Sequence, residues 1–411
     1  MALGTNPDGS LALDCIAERM KMMDKAWVPA RGPGLPWKAG EYELLRDQVR
    51  KFVEEEIKPR ADRWEEDGFI PRPILRRMGE LGFFGIRYPA EYGGAEMDAV
   101  ASTIFAEELG RSTYGGVAAA TLVHTDMASV HVFHDGTKAQ RARWMPGIIS
   151  GEVITAVAIT EPDAGSDVKA IRTRARREGD SYVLDGTKLY ITNGAHADLY
   201  CVAAKTDPSA GSHGITMFLV EKGTPGFSVA RELDKHGWRS SDTAELVFDG
   251  CRIPAENVLG AEGLGFYSIM RNFQNERLVL AGMAIGAAEA AIDMTLAWVK
   301  ARRAFGGVLW DMQAIRERLA MLSAKVEAGR QFLYATAWRM AADEDCLREV
   351  SMVKAICGEL VNEVVYTCVQ FHGAMGLMRE SPIERIARDA RILSIGGGAT
   401  EVMLEVVASM S

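Results

Sequence analysis

The feature that most constrains this chain is a double change in the period of its apolar residues. From Glu41 to about Ser150 they recur every three or four positions, as Leu44, Leu45, Val49, Phe52 and Val53 do, the spacing of a helix with one buried face. Between about Val153 and Gly260 the period drops to two, the alternation of a strand. After Gly265 the helical period returns, with Ile315, Leu319, Leu322 and Val326 on one face. At 411 residues the chain exceeds what one ordinary core encloses. The pattern predicts an α+β, mostly α fold in four parts: an N-terminal extension over 1–40, a helical domain over 41–152, a β domain over 153–264 and a helical domain over 265–411.

Local signals refine this. Gly32-Pro33-Gly34 and Pro36 cannot continue a helix and read as a linker behind a short amphipathic segment. Asp185-Gly186, between Tyr182-Val183-Leu184 and Leu189-Tyr190-Ile191, predicts a type I′ hairpin. Ile215 to Val220 and Leu246 to Phe248 read as a further strand pair. From Phe266 to Lys300 small residues such as Ala281, Gly282, Ala284, Gly286 and Ala287 permit close helix approach, suited to a bundle core or a subunit interface.

Composition narrows the function classes. Hydrophobic residues make up 48% and charged residues 25%, a soluble balance, and no apolar run reaches the roughly 18 residues of a membrane helix. A net charge of −9 argues against nucleic acid, which needs clustered Lys and Arg. The six cysteines show no spacing of a zinc site or disulfide framework, and His131 and His134 lack an accompanying ligand set, so no metal is expected. Asp8, Asp14 and Glu18 disfavour a signal or transit peptide, and a cytoplasmic location is the expectation.

Two segments carry chemistry: Ala158-Ile159-Thr160-Glu161-Pro162-Asp163-Ala164-Gly165-Ser166-Asp167, and Tyr190-Ile191-Thr192-Asn193-Gly194. A flavin needs hydrogen-bond partners at its polar edge and an aromatic or apolar wall at its face, and Thr160, Thr192 and Tyr190 offer both. Thr and Tyr are ordinary on strands; two such segments in order are not. They resemble the flavin-contacting motifs of acyl-CoA dehydrogenases, and the resemblance runs from about residue 41 to 410. It implies that family's fold, with an N-terminal helical domain, a middle β-barrel-like domain and a C-terminal four-helix bundle. It also implies FAD, held without a Gly-x-Gly-x-x-Gly turn, which is absent here. By resemblance Ile159, Thr160, Ser166, Tyr190 and Thr192 contact the cofactor, with Tyr190 where Trp is frequent. Arg302 and Phe305 reach the FAD of a neighbouring subunit, Gln313, Gln370 and Gly373 assist, and Glu401 is a cofactor-side or structural group. A homotetramer follows from that arrangement.

The resemblance implies a base for the α proton of an acyl thioester, at one of two places. At the late place the chain reads Ile395-Gly396-Gly397-Gly398-Ala399-Thr400-Glu401, with glycine where the medium-chain type has its glutamate. At the helical place it reads Phe273-Gln274-Asn275-Glu276-Arg277-Leu278, which resembles the base-bearing segment of isovaleryl-CoA and long-chain acyl-CoA dehydrogenases. Glu276 is therefore the candidate base, with the backbone N–H of Gly397 polarising the thioester oxygen. Ser166, Phe273, Arg277, Gly396 and Gly397 are the candidate substrate contacts. The implied activity is FAD-dependent α,β-dehydrogenation of an acyl-CoA, with electrons passed to an electron-transferring flavoprotein. An acyl-CoA oxidase, a dehydrogenase of carrier-tethered acyl groups and a catalytically silent helical subunit are the alternatives. The glycine run admits two readings: room for a branched acyl group, or loop dihedrals that only glycine adopts freely.

Overall fold

The computed structural model describes residues 35–38 and 40–411. Among the described residues, those up to Glu43 belong to one unit and Leu44–Ser411 to another. In the first, Pro36–Lys38 make one 3-10 turn; the amphipathic segment and the Gly-Pro-Gly linker expected before it lie outside the described residues.

The remainder runs helices, sheet, helices. The first helices are α1 (Glu41–Phe52), α2 (Ala61–Asp67), α3 (Arg72–Glu80), α4 (Ala99–Gly110), α5 (Gly115–Leu122), α6 (Ser129–Asp135) and α7 (Lys138–Ser150). Their starts follow from capping chemistry. The Asp98 carboxylate accepts from the N–H groups of Val100 and Ala101 at the head of α4. Thr137 and Gln140 close a reciprocal capping box on α7. Every residue of α4 is buried, which makes it the central helix of this group.

The strands are β1 (Thr155–Ala158), β2 (Arg174–Glu178), β3 (Ser181–Thr192), β4 (Leu199–Lys205), β5 (Ile215–Glu221), β6 (Phe227–Glu232), β7 (Thr243–Pro254) and β8 (Val258–Leu259). They form one mixed sheet in the order β6-β7-β3-β2-β4-β5-β8, with β1 added parallel to β4. The centre is covered on both faces. Leu199, Cys201 and Ala203 join one core with Val130, Ile148 and Ile269, while Tyr200, Val202 and Ala204 join another with Leu184, Phe218 and Leu246. That two-sided burial is why β4 reads as a continuous apolar run.

Two sequence expectations are corrected here. Asp185-Gly186 is no hairpin turn: β3 passes straight through it, both halves pair with β7, and the register shifts between Leu184 and Gly186. The dipeptide forms a bulge, pinned by the Asp185 carboxylate accepting from the Gly250 N–H at 2.8 Å. The reversal lies earlier, where Glu178 of β2 faces Ser181 of β3. The segments Ile215 to Val220 and Leu246 to Phe248 are strands, but they are not partners; β5 pairs with β4 and β8, and β7 with β3 and β6. Pairing is set by tertiary stacking that alternation alone does not encode.

After the sheet come α8 (Gly265–Ala301), a short ribbon of β9 (Arg303–Ala304) and β10 (Gly307–Val308), α9 (Gln313–Ala341), α10 (Leu347–His372), α11 (Pro382–Ala390) and α12 (Thr400–Ser409). Leu319, Leu322 and Val326 of α9 are buried as the periodicity requires. By length and composition α8 could cross a membrane, contrary to the expectation of no such run, but 78% of its most apolar window is buried within the protein. It is a core helix.

The small residues of α8 meet α4 at backbone contact. A Cβ on Gly286 would stand 1.9 Å from the Glu107 carbonyl oxygen, and one on Gly110 would stand 2.3 Å from that of Met283. The same crossing carries a buried ion cluster. The Glu107 carboxylate accepts from Arg46 at 3.0 Å, from Arg330 at 2.7 Å and from the Tyr334 hydroxyl. Burial works to raise the Glu107 pKa, but the two guanidinium charges and the hydroxyl hold it below the ordinary carboxylate range.

Replacing Gly286 by Ala tests the crossing, because two effects oppose. Helix propensity favours Ala by about 0.5–1 kcal/mol, whereas forcing a methyl against a carbonyl in a packed core costs about 1–3 kcal/mol. Net destabilisation is expected, read as a lower denaturant midpoint at unchanged slope; a raised midpoint would contradict backbone contact.

Candidate active site

Glu276 lies near the start of α8 with 7% of its surface exposed. Its carboxylate accepts from Asn272 Nδ2 at 3.0 Å, one helical turn earlier. Asn272 also donates to the carbonyl oxygens of Asp126 and Met127, at 3.3 and 3.2 Å, so the amide ties the carboxylate to the π-helical turn Val123–Ala128 between α5 and α6. Burial pushes the Glu276 pKa up to about 7, against the smaller opposing effects of the Asn272 hydrogen bond and the Arg277 charge. A carboxylate poised near neutrality is suited to proton abstraction.

Arg277 is buried too. It donates to Ser351 Oγ of α10 at 3.3 Å, lies 5.6 Å from the Phe273 ring centre, and leaves its Nε unpartnered. Burial depresses its pKa, with Glu276 acting to raise it. Phe273 in turn packs against the core containing Ile159, Ala164 and Val168. The first motif and the Glu276 helix therefore share one wall.

The glycine run approaches the same helix. Gly397 has φ +63° and a Cβ there would stand 2.2 Å from Leu280 Cδ1; Gly398 has φ +98° and its Cβ would meet Met403 Cε at 2.5 Å. Asn272, Glu276 and Leu280 follow at four-residue steps along one stripe of α8, so the loop sits over the stripe that carries the carboxylate. Lys354 of α10, buried and pulled down to about 8 by burial and then by the Arg277 charge, donates to the Gly398 carbonyl and fixes the loop from behind. The dihedral reading accounts for Gly397 and Gly398, which hold positive φ and beside which Leu280 and Met403 occupy the space. A Cβ on Gly396 would make only ordinary contact with Ile392.

The two motifs of the sheet are joined side by side. Leu189 donates its N–H to the Thr160 carbonyl at 2.9 Å, and the buried Lys188 ammonium reaches the Ile159 carbonyl at 3.0 Å and Glu161 at 2.7 Å. Tyr190 holds φ +61° within β3, where the register against β7 shifts between Lys188 and Ile191, and the residue is 66% exposed. A bulky residue in the left-handed region stores strain that the surrounding structure must hold. Tyr190 is exposed, and Thr160 and Thr192 are half-buried. An aromatic ring, two hydroxyls and the apolar Ile159, carried on motifs joined by backbone hydrogen bonds, have the chemistry an isoalloxazine requires. Ser166 lies exposed in the loop after the first motif.

The remaining candidates are not brought to Glu276. Arg302 and Phe305 follow the far end of α8, roughly 40 Å further along the axis at about 1.5 Å per residue. Phe305 has φ +50° and is 92% exposed, and Arg302 is exposed, its guanidinium 5.7 Å from the Trp298 ring. Gln313 donates to Glu317 at 2.6 Å; Gln370, Gly373 and Glu401 are exposed.

With this geometry in view, the comparisons with known proteins agree among themselves. Residues 39–152, 156–251 and 263–411 match the N-terminal, middle and C-terminal domains of acyl-CoA dehydrogenase. The long-chain specific acyl-CoA dehydrogenase of Mus musculus mitochondria is 38% identical over 90% of this chain and 86% of its own length. The mitochondrial isovaleryl-CoA dehydrogenase of Pongo abelii is 36% identical over 89% and 88%. The crystal structure of an acyl-CoA dehydrogenase from Geobacillus kaustophilus superposes with a TM-score of 0.88 at 39% identity, covering 91% of this chain and 99% of that one. The chain belongs to the acyl-CoA dehydrogenase family, enzymes that oxidise acyl-CoA thioesters, and the family implies a flavin cofactor.

Sequence reading did not single out Asn272, Lys188 or Lys354. Asn272 carried a signal, four residues before Glu276 on the same helical face; the two lysines, spread among many, carried none.

The raised pKa makes stability depend on pH. An unfolded Glu titrates near 4.5 and the folded one at about 7, so the unfolded state releases its proton first as pH rises. Stability fully present below 4.5 is lost up to about pH 7 and stays lost above it. Relative to Glu276→Gln, the wild type is expected to lose about 3 kcal/mol between pH 4 and 8.5, measured as the difference in unfolding free energy from denaturant titrations. Parallel pH curves for the two proteins would contradict the buried carboxyl.

Proposed function

We propose that this enzyme removes hydrogen from the α and β carbons of an acyl-CoA, giving the trans-2-enoyl thioester, with Glu276 as the base for the α proton. The observation that carries this is the Glu276 carboxylate: buried, oriented by Asn272, and balanced between its acid and ionised forms near pH 7. Ionised, it takes the α proton; protonated, it is the more stable form in its apolar surroundings, so the transfer relieves the desolvation of the charge. Arg277, held by Ser351 and lying beside Phe273, orients the carboxylate's neighbourhood and the CoA side of the substrate. Gly397 presents its N–H to the thioester oxygen from a loop fixed by Lys354, and stabilises the negative charge that develops there.

Bound FAD would supply the oxidant, accepting the β hydrogen as hydride and passing the electrons to an electron-transferring flavoprotein. Ile159, Thr160, Thr192 and Tyr190 would hold its ring system, with Ser166 on the substrate side. Arg302 and Phe305, exposed and roughly 40 Å along α8 from Glu276, would serve the cofactor of another subunit together with Gln313, Gln370 and Gly373, with Glu401 a cofactor-side or structural group. That arrangement requires an oligomer, and a homotetramer is the form proposed.

Glu276→Gln is expected to purify folded and yellow, yet show no flavin bleaching when acyl-CoA is added without oxygen. Bleaching at the wild-type rate would reject the base. For the shared site, the double variant Arg302→Glu, Phe305→Ala is expected to lose both bound flavin and the wild-type mass in sedimentation. Full flavin content in a dissociated protein would reject the shared arrangement.

A further inference from the structure

Between α4, α6 and the 3-10 turn Phe83–Gly85 lies a cavity of about 50 Å³ whose wall includes Phe83, Phe105, Phe133, Arg87, Asp126 and His134. A water-sized group needs about 10–15 Å³ by this measure, so the space takes a short substituent of a few atoms. The cavity adjoins the candidate active site. Asn275, next to Glu276, donates to the Asp126 carbonyl at 2.9 Å and to its carboxylate at 3.2 Å, and accepts from Arg87 Nη1. Asn272, which holds Glu276, donates to the same Asp126 carbonyl. Asn272 and Asn275 thus link Asp126 in the cavity wall to the carboxylate through shared hydrogen bonds.

A pocket for plain hydrocarbon does not need this lining. The Asp126 carboxyl accepts from Thr125 Oγ1 at 2.6 Å and from Asn275 at 3.2 Å; desolvating the guanidinium beside an alkyl chain returns no hydrogen bond and is unfavourable. Nor does Arg87 act as a direct counter-ion of Asp126: no ion pair within 4.0 Å joins them, and the Asn275 amide stands between. The half-buried guanidinium, with five donors, spends one hydrogen bond on Asn275 and forms no ion pair among the described residues. Burial raises the Asp126 carboxyl despite the Arg87 charge, and burial also lowers His134 to about 4, leaving it neutral at ordinary pH.

We propose that Arg87, with Asn275 and Asp126, forms a polar subsite that selects acyl-CoA substrates bearing a hydrogen-bond-accepting oxygen at the far end of a short acyl group, received as a hydroxyl or as a carboxylate. The inference rests on the acyl-CoA reading above. Phe83, Phe105 and Phe133 wall the stem, and the guanidinium meets the oxygen.

The test compares matched acyl-CoA thioesters of equal length ending in methyl, hydroxyl or carboxyl on the holoenzyme. One measurement is kcat/KM; the other is calorimetric Kd with Glu276→Gln, in which proton removal is blocked. An oxygenated thioester is expected to exceed its methyl counterpart by about tenfold or more in both, the worth of one charge-assisted hydrogen bond. Carboxyl above hydroxyl would mark recognition of the charge, and hydroxyl above carboxyl recognition of a neutral oxygen shared with Asp126. Arg87→Met is expected to reduce the ratio by about the same factor, and Arg87→Lys to keep part of it. A methyl preference, equal Kd values, or a ratio indifferent to Arg87→Met would overturn the subsite. Bleaching that survives Glu276→Gln would instead overturn the base and leave the ratio standing.

Discussion

Holding a carboxyl inside the protein, on a helix packed to backbone contact, is the constraint on which the rest of this structure depends. Glu276 is neutral or charged at little difference near pH 7 because water is excluded from it. Water is excluded because α8 is buried along most of its length, and α8 is buried because glycines let it lie against α4. A larger residue at Gly286 or Gly110 would separate the helices and loosen the environment that sets the acidity of Glu276. The base's chemistry is thus a property of helix packing before it is a property of the side chain.

The polar groups in the interior follow one rule, that a buried charge must be answered in place. Glu107 is answered by Arg46, Arg330 and Tyr334, and Glu161 by Lys188 and the N–H groups of Arg172 and Thr173. Such pairs add little net stability over apolar packing, but breaking one is expensive, so each fixes the register of the elements it joins. Lys188 and Glu161 lock the two sheet motifs together; the Glu107 cluster locks α4 to α1 and α9. Against this pattern Arg87 and Arg277 stand out, since each is answered only in part. Arg277 follows Glu276 in α8, and Arg87 bonds Asn275, which precedes it.

Much of the fold was legible because amphipathic period is a local property. The succession of helices, sheet and helices, the length of α8 and the buried face of α9 all follow from spacing. The hairpin at Asp185-Gly186 failed for a physical reason: Gly with positive φ serves a bulge as well as a turn, and the choice depends on whether both flanks pair with the same strand. The expected pairing of the Ile215 and Leu246 segments failed likewise: β5 pairs with β4 and β7 with β3, and alternation within a strand does not name its partner.

Residue identity alone settled that a carboxylate is available at position 276 and none at 397, and that the two flavin-like motifs are present in order. A side chain's chemical type survives any fold. Everything that makes those residues a site was decided by tertiary contact: the acidity of Glu276, the Asn272 bond that aims it, the loop whose glycines rest on Leu280 and Met403, and the charged cavity at Arg87. The acidity of Glu276 and the hold of Asp126 on Asn272 and Asn275 join segments more than a hundred residues apart, and linear order holds no record of that approach.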